Sequence, residues 1–275
     1  LTIERSTTDY VGLFCTIKFA VLKNIKLVNT NVKGQWYVGG LVGWIWGRNS
    51  VINCSSVGDV SGYRYVGGLV GASNTGDTAY GLFGCCVAGN VSGTAIVGAL
   101  IGSSEQGTVI VDCYSYSTTV YGESRIGGLV GFLTNTSHMI NCYSTGSVSG
   151  IYFIGGLVGL KSTSPPFSTV TSSYYDSETS GCSDTGKGEP KTTAEMKTQA
   201  TFADWDFETV WAIHPKLNEG YPYLRWQGLQ PPPPVEVLPS YTPQSTIKLE
   251  FSAGDSAPYP MGIFYADKSV YKVGS

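Results

Sequence analysis

Two kinds of residue in this 275-residue chain could do chemistry. The first are carboxylates. Glycoside cleavage needs a pair of acids flanking the scissile bond, and Asp77, Glu105 and Asp112 would form such a cluster if loops from successive segments converged. Between residues 31 and 160 the acids are Asp59, Asp77, Glu105, Asp112 and Glu123, and no repeated position carries one twice in succession, which argues against a conserved catalytic face. The two histidines, His138 and His214, cannot build a His-rich metal site, and surface positions are expected for both. Seven cysteines fit no zinc spacing, so neither metal nor cofactor is expected.

The second kind is aromatic. Trp36, Trp44, Trp46, Tyr63, Tyr65, Tyr114, Tyr116, Tyr143 and Tyr152 include several side chains that should face outward by strand alternation. The tightest group is "WIWG", where Trp44 and Trp46 share one strand face. Trp44, Trp46, Tyr63 and Tyr152 are the candidate binding residues, suited to glycans or to other surface proteins. The alternative is that these rings stack on one another and stabilise the fold. Composition limits the partners. Net charge is −3 and charged residues make up 13 per cent, so no electrostatic footprint for nucleic acid exists. No apolar run approaches the ~20 residues that span a bilayer.

These residues must be positioned by a repeat. The motifs "YVGGLVG", "RIGGLVG" and "FIGGLVG" align on Leu13, Leu41, Leu69, Leu100, Leu129 and Leu157, at intervals of 28, 28, 31, 29 and 28 residues. A fixed period of this size denotes stacked units, none stable alone. Each unit reads as two or three short strands separated by Gly, Ser and Asn turns, with no room for a helix. Cys54, Cys85, Cys113 and Cys142 fall in one slot of four successive units, flanked by Ile25 and Ser173. Such a slot is small and interior, so these thiols are expected to be buried and free. Cys86, next along the strand, should face outward, while Cys15 and Cys182 have no assigned place. The Gly pair separates two apolar residues by an odd count, predicting a corner that glycine dihedrals permit and stacked Cβ atoms would obstruct. Gly40, Gly43, Gly68, Gly71, Gly128, Gly131, Gly156 and Gly159 are accordingly structural.

These motifs resemble the GLUG-motif family, which recurs in bacterial surface and adhesin-type proteins. The Gly-Leu-Val-Gly cores at 40–43, 68–71, 128–131 and 156–159 carry the resemblance, with "GALIG" at 98–102 and "YVGLFC" at 10–15 as variants. "INCYSTGSVSG" from Ile140 is similar to the family's second stretch. The resemblance implies a right-handed parallel β-helix; with the period, it gives about six coils over residues 1–175. Right-handedness also agrees with the general chirality of parallel connections. The family is also found beside the protease domain of immunoglobulin-cleaving metallopeptidases, whose His-Glu-x-x-His helix is absent here.

Beyond Tyr175 the period fails and charge rises. Thr192–Glu195 reads as a capping box opening one short helix. The aromatic residues that follow, to about 227, are expected to cover the open end of the solenoid. A Pro-rich linker (228–243) then leads to a short β segment (244–275), read as the start of a truncated module. The chain is expected to be a non-catalytic, extracellular or cell-surface piece of a longer bacterial protein. A polysaccharide-degrading β-helix and a phage tail or host-recognition component are the alternatives.

Overall fold

The computed structural model describes residues 1–231 and two strand segments, 264–266 and 269–271. Residues 1–232 form one unit and 233–275 another. In the second, Phe264–Ala266 pairs antiparallel with Ser269–Tyr271; the rest of the expected linker and terminal segment lies outside the described residues.

The first unit is a parallel β-solenoid of six coils. One coil shows the plan: β1 (Trp36–Gly39), β2 (Val42–Trp46), β3 (Ser50–Ile52) and β4 (Ser55–Ser61). Each strand pairs in parallel with its equivalent in the coil after, and β2, β3 and β4 also with the coil before, where β1 has a single bridge, Val38 to Val11; four sheets thus form the walls. Four strands per coil exceed the two or three expected, because strands of three residues are too short to show period-2 alternation. Register follows the sequence interval. Val42 pairs with Val70, Val70 with Ile101, Ile101 with Val130 and Val130 with Val158. The longest interval, 31 residues, puts its extra length in the turn between Asn74 and Gly81.

The interior is a single stacked core of Val, Leu and Ile with the cysteine ladder inside it. Cys54, Cys85, Cys113 and Cys142 are buried and free. Each thiol donates to the carbonyl two residues earlier, over 3.1–3.4 Å. Ser173 does the same through its hydroxyl to Thr171 O at 2.8 Å. The slot therefore selects a small side chain that can turn one donor back onto its own strand.

Glycine fills the Gly-Gly-Leu corner for want of space rather than for dihedral freedom. Neither Gly67 nor Gly68 has a positive φ. A Cβ on Gly67 would lie 2.1 Å from Val70 O, and one on Gly68 2.4 Å from Ala99 O in the next coil. The left-handed dihedral falls two residues before the glycines, on Tyr10, Tyr37, Tyr65, Ile96, Arg125 and Phe153, with φ between 54° and 59°. A second left-handed column precedes the cysteine slot: Asn24, Asn53, Gly84, Asp112, Asn141 and Ser172.

The carboxyl-terminal segment corrects the expected cap. The charged stretch after Tyr175, not the aromatic one, closes the solenoid end. The short helix α1 (Ser177–Ser180) opens it, capped by Asp176, and Glu189–Lys191 adds a last parallel strand. Between them Asp184 accepts from Gly156 N (3.0 Å), and the Lys187 ammonium donates to Gly159 O (2.9 Å) and Ile154 O (3.3 Å). Charge rises here because an open sheet end presents unpaired N–H and C=O groups that need polar partners. The helix α2 (Thr193–Met196) carries the expected Thr192–Glu195 capping box.

The aromatic segment then runs back along the outside of the β4 sheet as a brace. Trp205 Nε1–H donates to Ser172 O (2.8 Å) beside the sixth coil, and Tyr143 in the fifth coil donates to Pro222 O. Trp211 Nε1–H reaches Asp112 Oδ1 (2.9 Å) in the fourth coil, and Trp226 Nε1–H reaches Gly84 O (2.8 Å) in the third. Lys26, in the first coil, lies over the Trp226 ring at 5.1 Å. Cys86 does leave the solenoid core as alternation requires, yet it is buried beneath this brace with Tyr114 and Tyr143. Those tyrosines are therefore not surface aromatics.

Candidate functional site

The rings that remain outside gather where the first face turns into the second. Tyr10, Tyr37 and Tyr65 occupy the left-handed position of three successive coils. Their rings stack at 4.9 and 4.6 Å with planes 3° and 2° apart. Trp44, outward on β2, stacks against Tyr10 at 5.5 Å and Tyr37 at 5.3 Å, and Trp46 meets it edge-on at 5.1 Å. Trp36 extends the group toward Tyr65 (6.3 Å) and Tyr63 (6.4 Å). The Arg64 guanidinium lies over Tyr65 at 4.9 Å and Trp36 at 5.6 Å. Trp46 is 43% exposed and Tyr63 52%. Burial and the neighbouring phenols raise the Tyr37 hydroxyl to about 12, so it stays protonated at physiological pH.

Of the four predicted binding residues, the structure joins Trp44 and Trp46 directly and Tyr63 through Trp36. Tyr152, 62% exposed, belongs to the sixth coil and stands apart. Sequence reading missed Tyr10 and Tyr37. Their signal was the bulky residue before each Val-Gly, a place where turn chemistry expects Asn or Gly.

Asp112 does not join the other two carboxylates. Asp77 faces Arg48 (3.6 Å) in a turn of the third coil, and Glu105 accepts from Ser103 Oγ (2.8 Å) on the second face. Asp112 lies at the next corner, beyond the strand Val109–Val111. Its side chain accepts from Trp211, and burial raises its carboxyl above the ordinary range. His138 pairs with Thr169 Oγ1 (2.8 Å), and His214 Nδ1 accepts from Lys216 N (3.2 Å). Among the described residues no group of three His, Cys, Asp or Glu could hold a metal ion.

Comparison with known proteins agrees with this architecture. Residues 122–149 match the GLUG motif. That stretch of the chain carries a GLUG motif. Over 103 residues the chain is 43% identical to a protein of Evansella cellulosilytica described as a Gly-rich membrane protein; the match covers 36% of the chain and 11% of that relative. It is 38% identical over 76 residues to halomucin of Haloquadratum walsbyi, covering 27% of the chain and 1% of the relative. The chain thus spans a small fraction of either. A crystal structure from Bacteroides ovatus, described as an immunoglobulin A1 protease, superposes with a TM-score of 0.54, covering 77% of this chain and 78% of that one at 20% identity. That likeness is one of fold. Among the described residues no helix is long and apolar enough to cross a membrane.

Proposed function

We propose that this GLUG solenoid is a non-catalytic, extracellular module of a longer bacterial surface protein, which presents its aromatic corner to glycans or to protein partners. One contrast carries the reading. Two of the columns of left-handed residues contrast in composition. One is filled by Asn, Gly, Asp and Ser, the types that tolerate this backbone. The other is filled by Tyr, Tyr, Tyr, Ile, Arg and Phe. An L-residue there costs about 1–2 kcal/mol, and each ring stack returns about 0.5–1.5 kcal/mol. The four stacks among Tyr10, Tyr37, Tyr65 and Trp44 return about 2–6 kcal/mol against about 3–6 kcal/mol of strain at the three tyrosines, whereas Ile96 in the same column is buried. The backbone alone would favour Asn or Gly here, and strain kept beside the exposed Trp46 and Tyr63 is read as a mark of function. The separated carboxylates and the surface-type relatives weigh in the same direction.

The test uses the full chain on a panel of immobilised bacterial and host polysaccharides, scoring retention and new reducing ends together. Retention that is lost in Trp44→Ala and Tyr37→Asn, without cleavage, is the expected result. Cleavage of any member would overturn the reading.

A further inference from the structure

A cavity of about 280 Å³ lies between the β4-side corner and the brace, walled by Asn53, Phe83, Asp112, Thr209, Leu224 and Trp226. Its existence traces to one residue. The left-handed column runs Asn53, Gly84, Asp112, and the missing side chain at Gly84 opens the gap between its two polar neighbours. A Cβ there would lie 2.6 Å from Asn53 Oδ1 and 3.6 Å from Trp226 Nε1.

The charge in this cavity is not balanced. Asp112 is more than half buried and receives hydrogen bonds from Trp211 and Asn141, but neither ion pair among the described residues includes it. A second carboxylate, Asp206, also acts on it, its oxygens accepting from Glu208 N, Thr209 N and Thr209 Oγ1. A buried charge is costly unless paired. Phe83, Val210, Leu224 and Trp226 supply the apolar walls beside the neutral Asn53 and Thr209, and the Trp226 ring already holds one cation, Lys26, which does not line the cavity. A single lining carboxylate, with no second charged ligand in the wall, does not suit a metal ion, which needs several oxygen ligands. It suits a cation with a hydrocarbon body.

We propose that this cavity binds an alkylammonium group, its nitrogen paired with Asp112 and its carbon chain lying against Phe83, Leu224 and Trp226. The volume, equivalent to roughly nine waters in the liquid, accommodates a four- or five-carbon amine. The site is independent of the aromatic corner and of any ligand held there.

The experiment follows the Trp211 and Trp226 indole N–H signals of the ¹⁵N-labelled full chain during titration with butylammonium chloride, with butanol as the neutral match. Saturable shifts with butylammonium and none with butanol are expected, and Asp112→Asn should weaken binding about tenfold or more. The amide retains an oxygen for the Trp211 N–H, so the variant keeps the brace; should it fail to fold, the butanol comparison decides. Nα-acetyl-lysine methylamide, run in parallel, separates the sources of the ammonium. Tighter binding than butylammonium would indicate a protein lysine, weaker binding a free amine. Equal shifts with butanol, no saturation with either amine, or an unchanged Kd in Asp112→Asn would overturn the assignment.

Discussion

Replacing Gly68 by valine should destabilise the solenoid far more than any change in the neighbouring turn. The magnitude follows from two contacts with one atom. Gly68 N donates to Ala99 O at 2.7 Å, and a Cβ on Gly68 would lie 2.4 Å from that same oxygen. Ordinary contact begins near 3.4 Å, so the carbonyl must retreat by about 1 Å. Retreat forfeits the hydrogen bond, at about 0.5–1.5 kcal/mol, and the overpacked methyl groups cost about 1–3 kcal/mol more. Together these make about 2–4 kcal/mol, or a fall in Tm of roughly 4–16 °C for a unit of this size. The molecule supplies its own control, since Ala99 fills the same slot in the fourth coil. There the next carbonyl, Gly128 O, is bonded by the Ser115 and Ser144 hydroxyls at 2.7 and 3.0 Å. Ala99→Gly should therefore cost only about 1 kcal/mol, the loss of a buried methyl group and of helix-free backbone restraint. Thr75 is not a neutral loop position, being buried with its hydroxyl on Asp77 O (3.0 Å). Thr78, exposed in the same turn, is the proper reference. Melting by circular dichroism decides the matter: a Gly68→Val variant that melts with Thr78→Ala would refute the account of corner crowding.

Further outcomes can be checked with the same material. Trp211→Ala, which empties a fully buried site, should cost about 3–5 kcal/mol and make residues 197–227 the first site of limited proteolysis. Tyr37→Asn should cost about 1–3 kcal/mol, because strain relief of about 1–2 kcal/mol offsets only part of the three lost ring stacks, while ligand retention at the corner falls. In the native state a thiol reagent should label Cys15 quickly and Cys182 slowly, and the remaining five cysteines only after unfolding. Burial raises Cys54 to about 11 and Cys86 to about 12, from an unfolded value near 9. The stability linked to these protonated thiols is fully present below pH 9 and is lost as pH climbs toward 11–12. Urea midpoints measured from pH 8 to 11 should fall across that window, and the fall should be smaller in a Cys86→Ala variant.

The period and the register were legible because stacking repeats the same demand at the same slot. Leu41, Leu69 and Leu100 announce it, and so does the run of four cysteines between Ile25 and Ser173. The capping box at Thr192 was equally plain, since its chemistry is local. The brace was not. Trp205, Trp211 and Trp226 signal that their segment is buried, but their partners Ser172, Asp112 and Gly84 lie far away in sequence and carry no pattern of their own. The aromatic corner was half legible. Trp44 and Trp46 stood out by type, whereas Tyr37 occupies a backbone conformation that its own chemistry disfavours, so no propensity argument leads to it.

A stack of coils in which each touches only its neighbours behaves as a one-dimensional array, free to fray from either end. The brace changes that arithmetic. It departs from the sixth coil and finishes beside the first, where Lys26 Nζ donates to Gln227 O across 201 positions of sequence. Opening a terminal coil therefore also means peeling aromatic side chains from coils that remain intact. Melting should become a single event rather than a progressive loss of turns. Pulled along the solenoid axis, the strap would carry load in parallel with the sheets, like a splint tied along a stack of rings.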